Sequence, residues 1–292
     1  MEHAITTFRQ LYFACKEANK KIYETALDYE ASRGEYSEYN VRLQAKKSLD
    51  AMKEAIKTGL NSTEPSPSGM SGDDCNKLQK KYKNSASVLG VAAQKIMTYA
   101  LATSEQNLRM GTIVACPTAG SCGIVPAVLI AYAEDNNISE CEQINALITA
   151  GEVGRLVSNK MALAGAVGGC QAECGVAAAM ASAALTQMRG GSVKQIINAV
   201  ALALKNILGL TCDPVCGLVE IPCVKRNPFL AIHAVTASEL AMADIISKIP
   251  IDEVVDAMEQ TGKLMSPLLK ESSQGGLAKT KTAIALEKNI LK

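Results

Sequence analysis

Apolar residues recur at helical spacing along most of the chain, and stretches rich in glycine and proline separate the periodic segments. The first segment, residues 1 to about 58, is charged and amphipathic, and its first apolar stripe comprises Ile5, Phe8, Leu11, Tyr12 and Cys15. That spacing predicts one face of a helix. A turn at residues 32–34 divides the segment into two predicted helices.

Capping residues predict where two later helices begin. Ser139 and Glu142 match a capping box, so we expect a helix from there to about Asn159. Ser192 is expected to cap a helix that stops at Gly209.

The other helices are predicted from periodicity or composition. Residues 88–108 have a helical apolar period, and residues 252–265 are amphipathic. Asn227 followed by Pro228 is typical of the N-cap and the first position of a helix. The tail after Ser272 is predicted to be a loop followed by a basic helix.

Residues 176–188 are almost all alanine, methionine and other small residues, which indicates a helix buried on every side. Ile113 and Val114 are the best candidates for a strand, but no partner strand is evident. We therefore predict an all-α fold, a multi-helix bundle of roughly ten helices around this central buried helix. Cysteine-bearing turns lie at the helix ends, and residues 1–292 are expected to form a single domain.

A polar stretch, predicted as a loop, interrupts the helical pattern at residues 59–87. Its first part, residues 59–74, is rich in glycine, serine and proline. This part is either a flexible linker or a polar loop over an active site, and composition alone favours the linker.

Composition excludes some functions and constrains the packing. The chain has 292 residues, a net charge of +1 and a pI near 7.4, so no electrostatic field favours nucleic acid or an anionic membrane. It has no tryptophan and three phenylalanines, so its core must pack by close approach of small residues. Neither a signal peptide nor a membrane-spanning run is visible, and we expect a cytoplasmic protein.

Ten cysteines in a reducing compartment indicate metal binding or catalysis rather than disulfides. Cys15, Cys75 and Cys141 have no partner in sequence and are predicted to be structural. Most of the others lie in two turns, residues 165–175 and 212–223. A turn lets the backbone direct several thiolates at one point, as cofactor ligation requires.

The spacing of these cysteines does not identify the metal. Each turn contains a pair of cysteines four residues apart. This spacing matches neither zinc ribbons nor ferredoxins, and His3 and His233 give weak support for a Cys₂His₂ site. The open alternatives are an iron–sulfur cluster with one open iron acting as a Lewis acid, a zinc-stapled helical domain, and thiols buried as small hydrophobic side chains.

Residues 111–123 form a loop of glycine, hydroxyl and small residues, and an apolar helix follows at Ile124. Free backbone N–H groups and the positive end of a helix dipole make this loop a candidate carboxylate or phosphate site. It is not a P-loop, because no Gly-Lys-Ser/Thr follows. A tight helix N-cap explains the same residues equally well.

Several stretches share their residues with one enzyme family, namely Ser68–Asp74, Met110–Pro126, Gly168–Gly175, Cys212–Cys223, Arg226–Asn227 and Gly275–Ala278. Over nearly its whole length the chain resembles the alpha subunit of the bacterial iron–sulfur-dependent L-serine dehydratases. The two cysteine motifs together are specific to that family. At residues 72–74 the chain has Gly-Asp-Asp where the family has Gly-Gly-Asp.

The resemblance implies a [4Fe-4S] cluster as cofactor. Its protein ligands would be Cys170, Cys212 and Cys223, with Cys174 and Cys216 as bystanders.

The resemblance also implies a substrate and a reaction. The substrate-binding residues would be Ser68, Ser71, Thr118, Ala119, Gly120 and Ser121. L-Serine would lose water by β-elimination without pyridoxal phosphate, with the open iron binding its carboxylate and β-hydroxyl. A base would remove the Cα proton, and aminoacrylate would hydrolyse to pyruvate and ammonia.

The sequence does not identify the base. His233 lies inside an apolar helix and is predicted to pack in the core. The family has a second part, a beta subunit, so we expect a two-chain enzyme. The alternatives are an iron–sulfur L-cysteine desulfidase on the same scaffold and a non-catalytic iron–sulfur sensor.

Overall fold

The computed structural model describes residues 4–34 and 36–290, which contain thirteen α-helices and no β-strand. The helices are α1 Phe8–Ala18, α2 Ile22–Ser32, α3 Glu38–Asn61, α4 Asp74–Tyr82, α5 Gly90–Leu108, α6 Ile124–Asp135, α7 Glu140–Ser158, α8 Gly165–Gly168, α9 Val176–Met188, α10 Val193–Lys205, α11 Cys223–Met242, α12 Ile251–Leu264 and α13 Lys281–Ile290. The predicted all-α class is confirmed.

The capping predictions for α7 and α10 are confirmed. The hydroxyls of Ser139 and Ser192 accept backbone N–H groups three residues further on, at 3.3 and 3.2 Å. However, α10 ends at Lys205 and not at Gly209. The N–H of Gly209 donates to the side chain of Gln171 at 3.0 Å, so a tertiary contact replaces the helical one.

Two helix boundaries differ from the prediction. The first segment holds three helices and not two, because Asn19 adopts a left-handed φ of 53° and ends α1. Helix α11 begins at Cys223, so Pro228 lies inside it. Asn227 does not cap a helix, because its side chain accepts the N–H of Gly123 at 2.9 Å.

Helix α9 is buried from Val176 to Thr186. Helices α6, α7, α10 and α11 all pack against it. Its alanines let these neighbours approach closely, as expected for a chain with no tryptophan and three phenylalanines.

Helix α4 lies within the stretch predicted as a polar loop, residues 59–87. The flexible-linker interpretation is wrong, because both ends of the loop before α4 are fixed to the C-terminal end of α5. Arg109 Nε donates to the carbonyl of Glu64 at 2.8 Å. The carboxylate of Glu105 accepts the N–H of Asp74 at 2.6 Å.

Three junctions meet at one end of the bundle. They are the loop before α6, the turn before α9 and the start of α11, and each contacts the other two. The predicted cofactor and substrate residues lie mainly on these junctions. No helix in the described part of the chain is long and apolar enough to cross a membrane.

Candidate metal and substrate site

The turn between α8 and α9 positions Cys170. It starts at Gly169, which has a φ of +76° that residues with a side chain rarely adopt. A Cβ at this position would also lie only 2.8 Å from Met265 Sδ, so glycine is needed here. After Cys170 the chain makes one π-helical turn over residues 171–175. This turn brings Glu173 Oε2 to 3.9 Å from Cys170 Sγ.

Residues 265–280, between α12 and α13, form the C-terminal segment, and this segment fixes the backbone of Cys212. Its N–H donates to the carbonyl of Leu269 at 2.8 Å, and its carbonyl accepts the N–H of Glu271 at 2.6 Å. The buried sulfur of Cys212 lies 3.8 Å from Glu173 Oε2. The ligand atoms of Cys170, Glu173 and Cys212 all lie within 4.8 Å of one another. This group is therefore able to hold a metal ion.

Cys223 is the first residue of α11 and is only 6% exposed. Burial, and after it the negative charge on Cys170, raise the pKa of Cys223 to about 12. Cys223 therefore lies close enough to interact with the other thiols, but it does not belong to the tight group of Cys170, Glu173 and Cys212.

Cys174 lies beside Cys170, with 3.7 Å between the two sulfurs. Hydrogen bonding with Cys174 and Cys212 lowers the pKa of Cys170, and it raises the pKa values of Cys174 and Cys212. The positive charge of Arg226 further lowers the pKa of Cys170. Cys170 therefore has the lowest pKa of these thiols. Cys216 is partly exposed and adopts a left-handed φ of 58°.

Arg226 is held beside Cys170 by a hydrogen-bond network centred on the buried carboxylate of Asp213. Its guanidinium donates to the carbonyl of Thr211 at 2.8 Å and to Asp213 Oδ1 at 2.9 Å. Asp213 Oδ2 accepts the N–H of Leu277 at 2.8 Å. The guanidinium thus offsets the negative charge of the thiolates, and Asp213 ties the C-terminal segment to the cysteine turn.

The loop before α6 contains a 3₁₀ turn at Ala119–Ser121. The Ser121 side chain is fully buried, and its hydroxyl donates to the carbonyl of Cys116 at 3.3 Å. It also lies 3.3 Å from the hydroxyl of Thr118. The Ser121 hydroxyl therefore stabilises the loop through hydrogen bonds within it. Thr118 is half-buried, and its side chain lies close enough to Glu173 on the neighbouring turn to lower the pKa of that carboxyl group.

Glu173 is a functional candidate that the sequence pattern did not reveal. Burial, together with the negative charge of Cys170, raises the pKa of Glu173 to about 7, although the Thr118 hydrogen bond lowers it. The available signal was an acidic residue inside a turn made otherwise of small residues, cysteine and glutamine. Its carboxylate lies between the thiols and the predicted substrate loop.

Asn227 joins the substrate loop to α11. Its amide donates to the carbonyls of Gly120 and Cys223, both at 2.9 Å, while its oxygen accepts the N–H of Gly123. The side chain is 1% exposed. Loss of Asn227 would leave buried backbone groups without partners.

The serine-rich loop before α4 lies against the second cysteine turn. Glu220, which is 3% exposed, accepts hydrogen bonds from the hydroxyls of Ser66 and Ser68. Ser68 therefore anchors the loop. The hydroxyl of Ser71 is buried and has no partner within the described ranges, so it is available to a bound molecule.

Neither histidine is observed at this site. His233 Nε2 lies 2.8 Å from the carbonyl of Ala203, so His233 joins α11 to α10, but it is half-buried and not in the core as predicted. His3 lies outside the described residues. The three cysteines predicted to be structural also lie elsewhere, with Cys15 and Cys75 buried and Cys141 exposed.

The chain is similar to known proteins over nearly its whole length. The model of the family "Serine dehydratase alpha chain" matches residues 17–278. The probable L-serine dehydratase alpha chain of Bacillus subtilis is 43% identical over 97% of this chain and 94% of its own length. The L-serine dehydratase alpha chain of Peptoniphilus asaccharolyticus is 39% identical over 99% of both chains. The L-serine dehydratase TdcG of Escherichia coli is 44% identical over 63% of this chain and 41% of its own. The chain belongs to the serine dehydratase alpha chain family.

Proposed function

We propose that this chain is the catalytic subunit of an L-serine dehydratase, which converts L-serine to pyruvate and ammonia. One observation carries the proposal: the turns with the candidate metal ligands and the loop with the candidate carboxylate site meet at Glu173. Thr118 contacts this carboxylate from one side, and Cys170 and Cys212 contact it from the other. Family membership supports the same substrate.

The cofactor would be a [4Fe-4S] cluster held by Cys170, Cys212 and Cys223. The residues fit such a group, because all three thiols are buried and Arg226 supplies a compensating positive charge. Gly165 also leaves room, since a Cβ there would lie 2.9 Å from Cys212 Sγ. When bound, the cluster supplies a Lewis-acidic iron for elimination of the β-hydroxyl.

Thr118, Ala119 and Gly120 would bind the substrate carboxylate. The buried hydroxyl of Ser121 would hold their loop in shape through its hydrogen bonds. Ser68 and Ser71 would close the site from the loop before α4. The free hydroxyl of Ser71 supports this role. Glu173, with Thr118 close to its carboxyl group, would hold a proton near the reacting carbon.

A beta chain would complete the enzyme, since two of the relatives above are named alpha chains. Exposed apolar side chains near the site support a covering partner. They come from the two cysteine turns and the C-terminal segment, and are Val167, Leu218, Val219, Leu264, Leu268 and Leu277. Such a cover would exclude water from the site.

The function is tested with the chain reconstituted anaerobically with iron and sulfide, alone and with a beta chain. We expect pyruvate and ammonia from L-serine, with a slow rate for the chain alone. Sulfide release from L-cysteine without turnover of L-serine would favour the desulfidase. A cluster-containing pair that turns over neither amino acid would contradict an enzymatic function.

Replacing Thr118 by valine should lower kcat/KM for L-serine about 10- to 100-fold. This corresponds to about 1–3 kcal/mol, the usual cost of leaving a polar group without its hydrogen-bond partner in a dry site. The iron content should not change, because Thr118 contributes no thiolate. Thr236→Val on the exposed face of α11 is the matched control and should keep full activity. Unchanged kinetics with a lower Tm would instead favour a purely structural role for Thr118.

A further inference from the structure

Cys170, Glu173 and Cys212 form a compact group whose ligand atoms all lie within 4.8 Å of one another. Glu173 Oε2 lies 3.9 Å from one sulfur and 3.8 Å from the other. In a tetrahedral site, metal–sulfur bonds of about 2.3 Å and metal–oxygen bonds of about 2.0–2.2 Å put neighbouring ligand atoms roughly 3.5–3.8 Å apart. The spacing of these three atoms therefore suits one ion.

We propose that the cluster-free chain binds a single divalent transition-metal ion through Cys170, Glu173 and Cys212. Two thiolates and one carboxylate suit ferrous iron, zinc or cobalt, whereas magnesium and calcium prefer an all-oxygen site. The group contains neither Cys174 nor Cys223, so three protein ligands leave one tetrahedral position to solvent. This site differs from the proposed cluster in its ligands, and it does not depend on the identity of the substrate.

The surroundings hold the three ligands in place. Hydrogen bonds to the C-terminal segment fix the backbone of Cys212 on both sides. Thr118 lies close to the carboxylate of Glu173, and the charge of Arg226 acts on Cys170. Such outer contacts orient metal ligands and strengthen binding.

The site is also open to an incoming ion. Glu173 is only partly buried, and three residues beside it in the preceding turn are exposed, namely Ala164, Ala166 and Val167. A divalent ion would offset two of the three negative charges that its ligands carry. Arg226 would offset part of the remainder.

The test is an anaerobic titration of the metal-free chain with Co²⁺. We expect one equivalent to bind, with a thiolate-to-cobalt charge-transfer band and the visible bands of four-coordinate cobalt, and we expect Zn²⁺ to displace it in equal amount. Cys170→Ser, Cys212→Ser and Glu173→Gln should each weaken binding by more than about 100-fold, since even outer contacts contribute about 10- to 100-fold.

Cys223→Ser separates this site from the proposed cluster, because it should bind Co²⁺ like the unmodified chain. Thermal melting shows whether each variant is folded, and the isosteric Glu173→Gln keeps the test valid if a cysteine variant unfolds. The proposal is overturned if Co²⁺ does not bind in equal amount. It is also overturned if Glu173→Gln binds normally, or if Cys223→Ser weakens binding as much as Cys170→Ser does.

Discussion

Replacing Cys170, Cys212 or Cys223 by alanine is expected to remove nearly all iron and sulfide from the reconstituted chain. Each of these thiols is buried and comes from a different turn or helix start. A cluster that loses one of three protein ligands has no nearby replacement in the correct position, because neighbouring backbone segments are fixed by hydrogen bonds. Iron and acid-labile sulfide are measured per chain, together with the visible spectrum.

Cys174→Ala and Cys216→Ala are the controls. The sulfur of Cys174 lies 3.7 Å from that of Cys170, but Cys174 is not among the proposed ligands, and Cys216 is partly exposed. Both variants should keep most of the iron. The ligand assignment would be wrong if Cys223→Ala kept full iron and sulfide, or if Cys174→Ala removed as much iron as Cys170→Ala.

Gly165→Ala is expected to prevent metal binding with little effect on stability. A Cβ at residue 165 would lie 2.4 Å from Glu173 Oε2 and 2.9 Å from Cys212 Sγ, so both side chains would have to move. Gly165 is in α8 and does not have a left-handed φ. Alanine therefore suits its backbone and would by itself stabilise a helix by up to about 1 kcal/mol. Iron content and Tm are measured on the same preparation.

Gly151→Ala in α7 is the matched control, since an added Cβ there has no heavy atom within 4 Å. It should raise stability by up to about 1 kcal/mol and leave the iron content unchanged. If Gly165→Ala bound iron normally, the close approach of α8 to the ligands would have no functional role. A large drop in Tm would indicate that Gly165 serves the fold and not the site.

Capping residues and local composition predict those helices whose ends are fixed by residues close in sequence. The capping residues Ser139 and Ser192 act within their own first turns, so the sequence contains all the partners involved. The composition of residues 176–188 likewise indicates burial directly, because a helix of alanine and other small residues has no polar face.

Predictions failed where distant residues supply the partners. Asn227 has the local pattern of a helix cap, yet its hydrogen bonds go to Gly120 and Gly123, about 100 positions away in the chain. The stretch before α4 has the composition of a linker, but contacts with Glu105 and Arg109 order it. Neither contact is visible in a local pattern.

The candidate site was predictable in its cysteines but not in its carboxylate. Cys170, Cys212 and Cys223 were identified through turns rich in glycine and proline and through the family motifs. The role of Glu173 depends on its distances to Cys170 and Cys212, which are set by the packing of separate junctions. Only the folded chain brings these groups together.

The most direct test of the central claim is a ⁵⁷Fe Mössbauer spectrum of the reconstituted chain, recorded with and without L-serine. If Cys170, Cys212 and Cys223 hold a four-iron cluster whose open iron takes the substrate, L-serine should change the signal of one iron site and leave the other three unaltered. A cluster spectrum that L-serine leaves unchanged would contradict this account, as would a spectrum of isolated iron alone after full reconstitution.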